Sequence, residues 1–304
     1  MRERIAYPDQ VKAGLTTQSK KGGYMKMVMG MNLDLDSCMT AAIILGDINP
    51  QEIDIDLAHC QALPEQLANP EIPCVECGGS GETKLNDWDH HFYNGDQGDK
   101  EYIPPACIQA AREKLGEIPP VVQAIGAWDE GKFGEFPEFK ETQIIFGGML
   151  LDVRNVMEQA KEGIILCQKW LAGDFSLSPK EKKWKEIKKN YDIKIAEEME
   201  KVEYLQTKQN RTLAYVESEF WGTLRACQEP MDTEDVVVVK NPTTNKITIA
   251  LKPASTSSLK GICDLLNKIE PGWGGPITGK IIGSPQKGSR LELREVVQIV
   301  RLFM

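Results

Sequence analysis

The chain has 304 residues, of which 41% are hydrophobic and 27% charged, with a formal net charge of −9. That balance suits a globular protein with room for two domains, and the acidic charge excludes a general nucleic-acid coat, which needs Lys and Arg for its phosphate contacts. The apolar runs, such as 163–167, are far shorter than the roughly 20 residues of a membrane span. The charged start Met1-Arg2-Glu3-Arg4-Ile5 has no signal core, so the eight cysteines read as reduced thiols of a cytoplasmic protein.

Residues 1–23 are polar and read as a loosely ordered lead-in. Tyr24 to Asn32 is apolar enough for a buried strand, and Asp36 to Gly46 carries Met39, Ala42, Ile43 and Leu45 at helical spacing. Glu52 to Leu57 alternates as a strand does, Leu63 to Ala68 suits a short helix, and Ile72 to Glu76 is a third strand-like run ending at Gly78-Gly79. Strands alternating with helices predict βαβ units and a parallel sheet, with helices on both faces. Pro104-Pro105 opens a helix through Leu115, and another runs from Pro120 to Ala127. Glu141 to Leu171 reads as helical with an interruption at Gly147-Gly148. Pro179 to Gln206, rich in Lys and Glu, reads as a connecting helix with a break near Asn190.

Beyond it the composition changes. Thr212–Val216 and Asp235–Val239 read as strands, and the turn 241–245 returns the chain into a strand over Lys246–Leu251. Helices are predicted over Ser257–Ile269 and Leu293–Leu302. The reading is an α/β protein: a domain over 1–175, a helical linker over 176–210, and a smaller α/β domain over 211–304.

The chemistry-bearing residues gather at predicted strand ends. Two of the three histidines stand together in Asp89-His90-His91. Asp34 and Asp36 fall just past the first strand, Glu76 ends the third, and Asp129 leaves an apolar helix at a glycine turn. The strand-end edge of an open α/β sheet is where ligand sites lie. Carboxylates with an imidazole there suit one or two Mn²⁺ or Mg²⁺ ions, with Asp89 and His91 as catalytic or supporting partners.

In order, Leu33-Asp34-Leu35-Asp36-Ser37 before a helix, Val75-Glu76-Cys77-Gly78-Gly79, Trp88-Asp89-His90-His91 and Trp128-Asp129 resemble the four motifs of the DHH phosphoesterase superfamily, over about residues 25–150. That superfamily includes RecJ-like exonucleases, oligoribonucleases, cyclic-dinucleotide phosphodiesterases and exopolyphosphatases. The resemblance implies a parallel-sheet domain, a helical linker and a C-terminal substrate domain. It implies that Asp34 and Asp36 each bind one of two ions, that Glu76 bridges them, and that His90 and Asp129 hold the second. A metal-activated water would then attack the phosphorus of a phosphodiester. Two departures stand out. The histidine that many members carry before the first aspartate is absent from 28–32, where Asn32 offers only an amide oxygen. The bridging acid, usually aspartate, is one methylene longer.

A glycine-rich stretch follows near the C-terminus. Gly274 and Gly275, then Ser284, Lys287 and Arg290, with Lys280 nearby, offer backbone N–H groups and local positive charge to an anion. The stretch resembles the glycine-glycine-histidine substrate loop of the family's C-terminal domain, with Pro276 in the histidine's place. Cys74 and Cys77 resemble half a zinc knuckle, but a structural zinc needs four ligands, so they read as buried strand-end thiols. Trp88 and Trp128 are read as walls of the site, and Trp170 and Trp184 as packing. The function expected is hydrolysis of a short oligonucleotide or a cyclic or linear dinucleotide. The alternative is a catalytically impaired relative that binds a nucleotide or a protein partner. The partner is then a small phosphorylated or short nucleic-acid molecule, with no membrane, and a homodimer is left open.

Overall fold

A computed structural model describes residues 25–59, 61–91, 102–132, 134–252, 254–275 and 278–304. The lead-in over 1–23, Tyr24, Cys60 and Pro276 lie outside the described residues. The chain divides into two compact units, Met1–Lys189 and Asn190–Met304. Among the described residues no helix is long and apolar enough to cross a membrane.

The first unit is built on β1 (Lys26–Gly30), α1 (Leu35–Leu45), β2 (Asp54–Ala58), α2 (Pro64–Leu67), β3 (Cys74–Val75), β4 (Asp87–Trp88), α3 (Ala106–Ala110), α4 (Pro120–Asp129), α5 (Lys140–Asp152) and α6 (Val156–Leu171). Helix α7 (Pro179–Met199) carries the chain onward into the second unit. The strands form a four-stranded sheet in the order β2-β1-β3-β4, every pair parallel. Alternation along β1 serves two cores. Met27 and Met29 join the large cluster with α1, α3 to α6 and Trp184, while Val28 faces the smaller cluster of Ala62, Cys74, Cys77 and Leu67. Helix α1 is buried from Asp36 to Leu45, as expected of a helix apolar on every side.

Because all four strands run the same way, the turns after β1, β3 and β4 leave by one edge. That register brings Asp34, Glu76 and Asp89-His90-His91 together although they are spread over about 60 residues.

The second unit follows with β5 (Glu203–Gln206), β6 (Thr212–Glu217), α8 (Thr223–Gln228), β7 (Val236–Asn241), β8 (Lys246–Leu251), α9 (Lys260–Ile269), β9 (Ile281–Gly283) and α10 (Leu293–Phe303). Its sheet has the order β5-β6-β7-β8-β9. The β6–β7 pair is parallel and the other three are antiparallel. Val236 to Val239 are all buried, the continuous run of a strand covered on both faces. Val236 and Val238 face α9 and α10, and Val237 and Val239 face α8. Each such burial stabilises by roughly 1.5–3 kcal/mol.

Several local expectations are corrected. Gly147-Gly148 does not interrupt a helix. Both lie inside α5, and a Cβ on Gly148 would stand 1.9 Å from the Trp184 carbonyl oxygen. The glycine is there for backbone contact between α5 and α7. The interruption falls at 153–155, where the Asn155 side chain caps α6 by accepting from Glu158 N at 3.1 Å. Helix α7 passes through Asn190 without a break and stops at Met199. The segment 203–206, expected as its end, is a strand paired with β6. The short elements β4, α8 and β9 carry too few residues for a period to be read.

Candidate metal centre

The first turn is set by Asp34, the N-cap of α1. Its Oδ1 accepts from Ser37 N at 2.8 Å, and Ser37 Oγ accepts from Asp34 N at 3.0 Å, a reciprocal capping box. Asp36 follows in the first turn and is 1% exposed. Its two oxygens accept from Ala106 N and Cys107 N, each at 2.8 Å, so α1 and the start of α3 are joined through one carboxylate.

The second turn is tight. Glu76 takes φ +52°, followed by Gly78 at +115° and Gly79 at +72°. The left-handed region costs a non-glycine residue roughly 1–2 kcal/mol, and Glu76 is held there by donating its N–H to Trp88 O at 2.9 Å. Gly30 at the end of β1 makes room, since a Cβ there would stand 2.4 Å from the Glu76 carbonyl oxygen.

The third turn is clamped by Asp89, which is fully buried. Its Oδ2 accepts from Gly78 N at 2.6 Å and its Oδ1 from His91 N at 2.7 Å, tying the turns after β3 and β4 together. Burial pushes the Asp89 carboxyl up, but the donors from His91 and Gly78 outweigh it and hold the group below the usual carboxylate range. Gln109, which nothing in the sequence singled out, donates Nε2 to Asp89 O at 3.0 Å and to Pro104 O at 2.8 Å. The only sequence signal for it was its place one turn after Pro104-Pro105.

The imidazoles then meet acids. His90 Nε2 lies 3.1 Å from Asp129 Oδ2, at the last residue of α4, and 3.7 Å from Glu76 Oε1. His91 Nδ1 lies 2.9 Å from Glu76 Oε2 and 3.1 Å from Asp89 Oδ1. Asp89 and then Glu76 raise the His91 pKa to about 11. Burial lowers that of His90, but Asp129 and the charge of Asp36 outweigh it and raise the net value. The carboxyls of Asp34, Asp36 and Glu76 are all pushed up, by burial first. Glu76 reaches about 7, and Asp36 is driven further by Glu76, Asp129 and Asp34. A cluster of acids and imidazoles, with nitrogen and oxygen donor atoms aimed at one another, fits a divalent cation. Two donor groups have the spacing for one: Glu76 with His90 and His91, and Asp36 with His90 and Asp129.

The structure thus gathers Asp34, Asp36, Glu76, Asp89, His90, His91 and Asp129 in the first unit. Trp88 and Trp128 do not wall the site; both belong to the core, with their indole N–H groups donated to Asn86 Oδ1 and Glu135 O at 2.9 Å each. The remaining candidates lie in the second unit. Gly274 pairs with Gly283 through bonds of 3.0 and 2.7 Å, and a Cβ on Gly275 would stand 2.1 Å from the Ile281 carbonyl oxygen. Ser284 Oγ accepts from Ile247 N at 2.9 Å. Lys280 Nζ donates to Ser255 O and Ser257 O, so its charge is spent on the fold. Lys287 is exposed. The Arg290 guanidinium is exposed as well, while its backbone N–H donates to Glu270 Oε1 at 2.7 Å.

No family model and no curated relative matches the sequence. Solved structures do. A pGpG-specific phosphodiesterase, PggH, from Vibrio cholerae superposes with a TM-score of 0.51 at 14% identity, over 91% of this chain and 98% of that one. The DHH domain of a protein described as a member of a ribosomal protein family superposes with a TM-score of 0.53 at 11% identity, over 90% of this chain and 85% of that one.

Proposed function

Because the chain has the fold of the DHH superfamily, we propose that it is a metal-dependent phosphoesterase that hydrolyses the phosphodiester of a short oligonucleotide or of a cyclic or linear dinucleotide. The observation that carries this reading is the convergence of donor atoms from Glu76, His90, Asp36 and Asp129 at one sheet edge, with His90 Nε2 3.1 Å from Asp129 and 3.7 Å from Glu76. Asp34, Asp36, Glu76, His90 and Asp129 would hold Mn²⁺ or Mg²⁺, up to two ions. Such ions supply positive charge to a bound phosphate and acidify a water.

The rest falls to the chain's own residues. Asp89 stays ionised and buried and sets the positions of the Gly78 turn and of His91. Gln109 holds the Asp89 carbonyl in turn. His91, half exposed beside Glu76, is nearer to solvent than His90. The first unit is the catalytic part of this reading. In the second unit, Ser284 and the exposed Lys287 and Arg290 would offer contacts to a phosphate.

PggH is a pGpG-specific phosphodiesterase, so dinucleotides head the substrate panel. Linear and cyclic dinucleotides, short 5′-phosphorylated single strands, a chromogenic phosphodiester and polyphosphate are incubated with Mn²⁺, with Asp129→Ala as control. Turnover that vanishes in the variant is the expected result. Equal rates in both proteins, or none in either, would remove the enzyme reading and leave a protein that binds a nucleotide or a partner.

A further inference from the structure

His90 stands in both donor groups, with Glu76 and His91 on one side and Asp36 and Asp129 on the other. An imidazole nitrogen has one lone pair and serves one ion. Neighbouring donors on an ion held at about 2.1 Å lie roughly 3 Å apart. The His90–Asp129 pair has that spacing at 3.1 Å, and the His90–Glu76 pair at 3.7 Å is wider. His91 Nδ1 and Glu76 Oε2 have it again at 2.9 Å. Glu76 turns one oxygen toward each histidine, the disposition of a bridging carboxylate. Gly30, the last residue of β1, cannot be exchanged for a ligand, because a Cβ there would stand 2.4 Å from the Glu76 carbonyl oxygen.

We infer that His91 is an ion ligand: His91 Nδ1 with Glu76 Oε2 makes one position, and His90 Nε2 with Asp36, Asp129 and Glu76 Oε1 makes the other. Each ion then has one imidazole, and Glu76 is shared. Giving His91 Nδ1 to an ion leaves Asp89 satisfied, since its oxygens keep the backbone donors of His91 and Gly78. The ring planes of His90 and His91, 4.2 Å apart at their centroids and tilted by 58°, present their nitrogens to different oxygens of Glu76.

The inference rests on the ion-dependent reading above and is tested apart from activity. The full chain, stripped by chelation and grown with ¹⁵N-histidine, is titrated with Mn²⁺ and followed by calorimetry, electron paramagnetic resonance and spin-echo modulation. Two ions per chain with an exchange-coupled signal, and nitrogens from two histidines, are expected. His91→Ala is expected to bind one ion, with an uncoupled signal and a single histidine nitrogen. Two coupled ions in His91→Ala, or a single histidine nitrogen in the unaltered protein, would overturn the inference and leave the ion-dependent reading standing. No Mn²⁺ bound by the unaltered protein would overturn both. The nitrogen count on the unaltered protein decides the matter even where the variant does not fold.

Discussion

The Glu234 and Glu270 loops of the second unit and the Asp36–Glu76 cluster of the first handle acidic side chains in opposite ways. In the second unit Glu234 is surrounded by donors. Ser255 Oγ, Thr256 N and Oγ1, and Ser257 N and Oγ all give it hydrogen bonds of 2.6–3.3 Å, and Arg211 stands 3.5 Å away. Ser257 and then Thr256 pull its pKa to about 2. Glu270 is treated likewise: burial raises it, but Ser289 at 2.6 Å and Arg290 N at 2.7 Å outweigh that and leave it lowered. In the first unit Asp36 and Glu76 face other acids and are raised. A carboxylate provided with donors builds a loop. One set deep among its own kind is raised by burial and by its neighbours' charge, the signature of a candidate functional site.

The largest expected break in this contrast is Asp129→Ala. It removes an acid beside His90 and is expected to cut phosphodiester hydrolysis on the order of 100- to 1,000-fold, the effect of losing several kcal/mol of charge stabilisation. The steady-state rate with Mn²⁺ checks it. Next is Glu76→Gln, which deletes a charge that the ion-free fold tolerates poorly. The variant is expected to melt higher than the parent without ions and to lose the Mn²⁺-induced rise in Tm. In the parent that rise corresponds to about 2.7 kcal/mol at a hundredfold excess over Kd. A parent-like Mn²⁺ shift in the variant would count against Glu76 as a ligand.

The pH dependences of the two units have opposite signs. Glu76 binds its proton more tightly folded than unfolded, so its contribution to ion-free stability is present below about pH 4.5 and is lost as pH rises through about 7. Glu234 binds its proton less tightly when folded, so its contribution is present above about pH 4.5 and is lost as pH falls through about 2. Hydrogen exchange read separately on amides of α1 and of β7 measures both. Glu234→Gln should lower the stability of the second unit alone and leave Mn²⁺ binding untouched. The smallest effects come from the periphery. Gln109→Ala should weaken ion binding about tenfold by loosening the Asp89 turn, as calorimetry would register. Reversing Lys287 and Arg290 to Glu should raise KM severalfold with little change in kcat.

Much of the placement was legible because the strand–turn–helix rhythm is strong. Apolar runs ending at Asn32 and Glu76 set two strand ends, and parallel pairing then obliges their turns to share an edge. What was illegible depends on contacts across long separations. Nothing near Asp36 announces that Ala106 and Cys107 will donate to it. The burial of Asp89 depends on the Gly78 turn, eleven residues earlier. Gly147-Gly148 looked like a helix breaker because its partner, Trp184, comes much later in the chain. Nor does anything near Ser284 or Lys280 announce that the first will accept from Ile247 N or that the second will donate to the carbonyls of Ser255 and Ser257.

Gly30 also constrains the history of the site. With the Glu76 carbonyl pressed against its Cα, any single substitution there meets backbone before it can offer a new side chain to the pocket. A larger residue becomes acceptable only after the turn at Glu76 has been rebuilt, and that rebuilding would first dismantle the contacts Glu76 makes now. Any side chain at position 76 keeps that carbonyl, so the constraint runs one way: position 30 stays glycine whichever acid stands at 76.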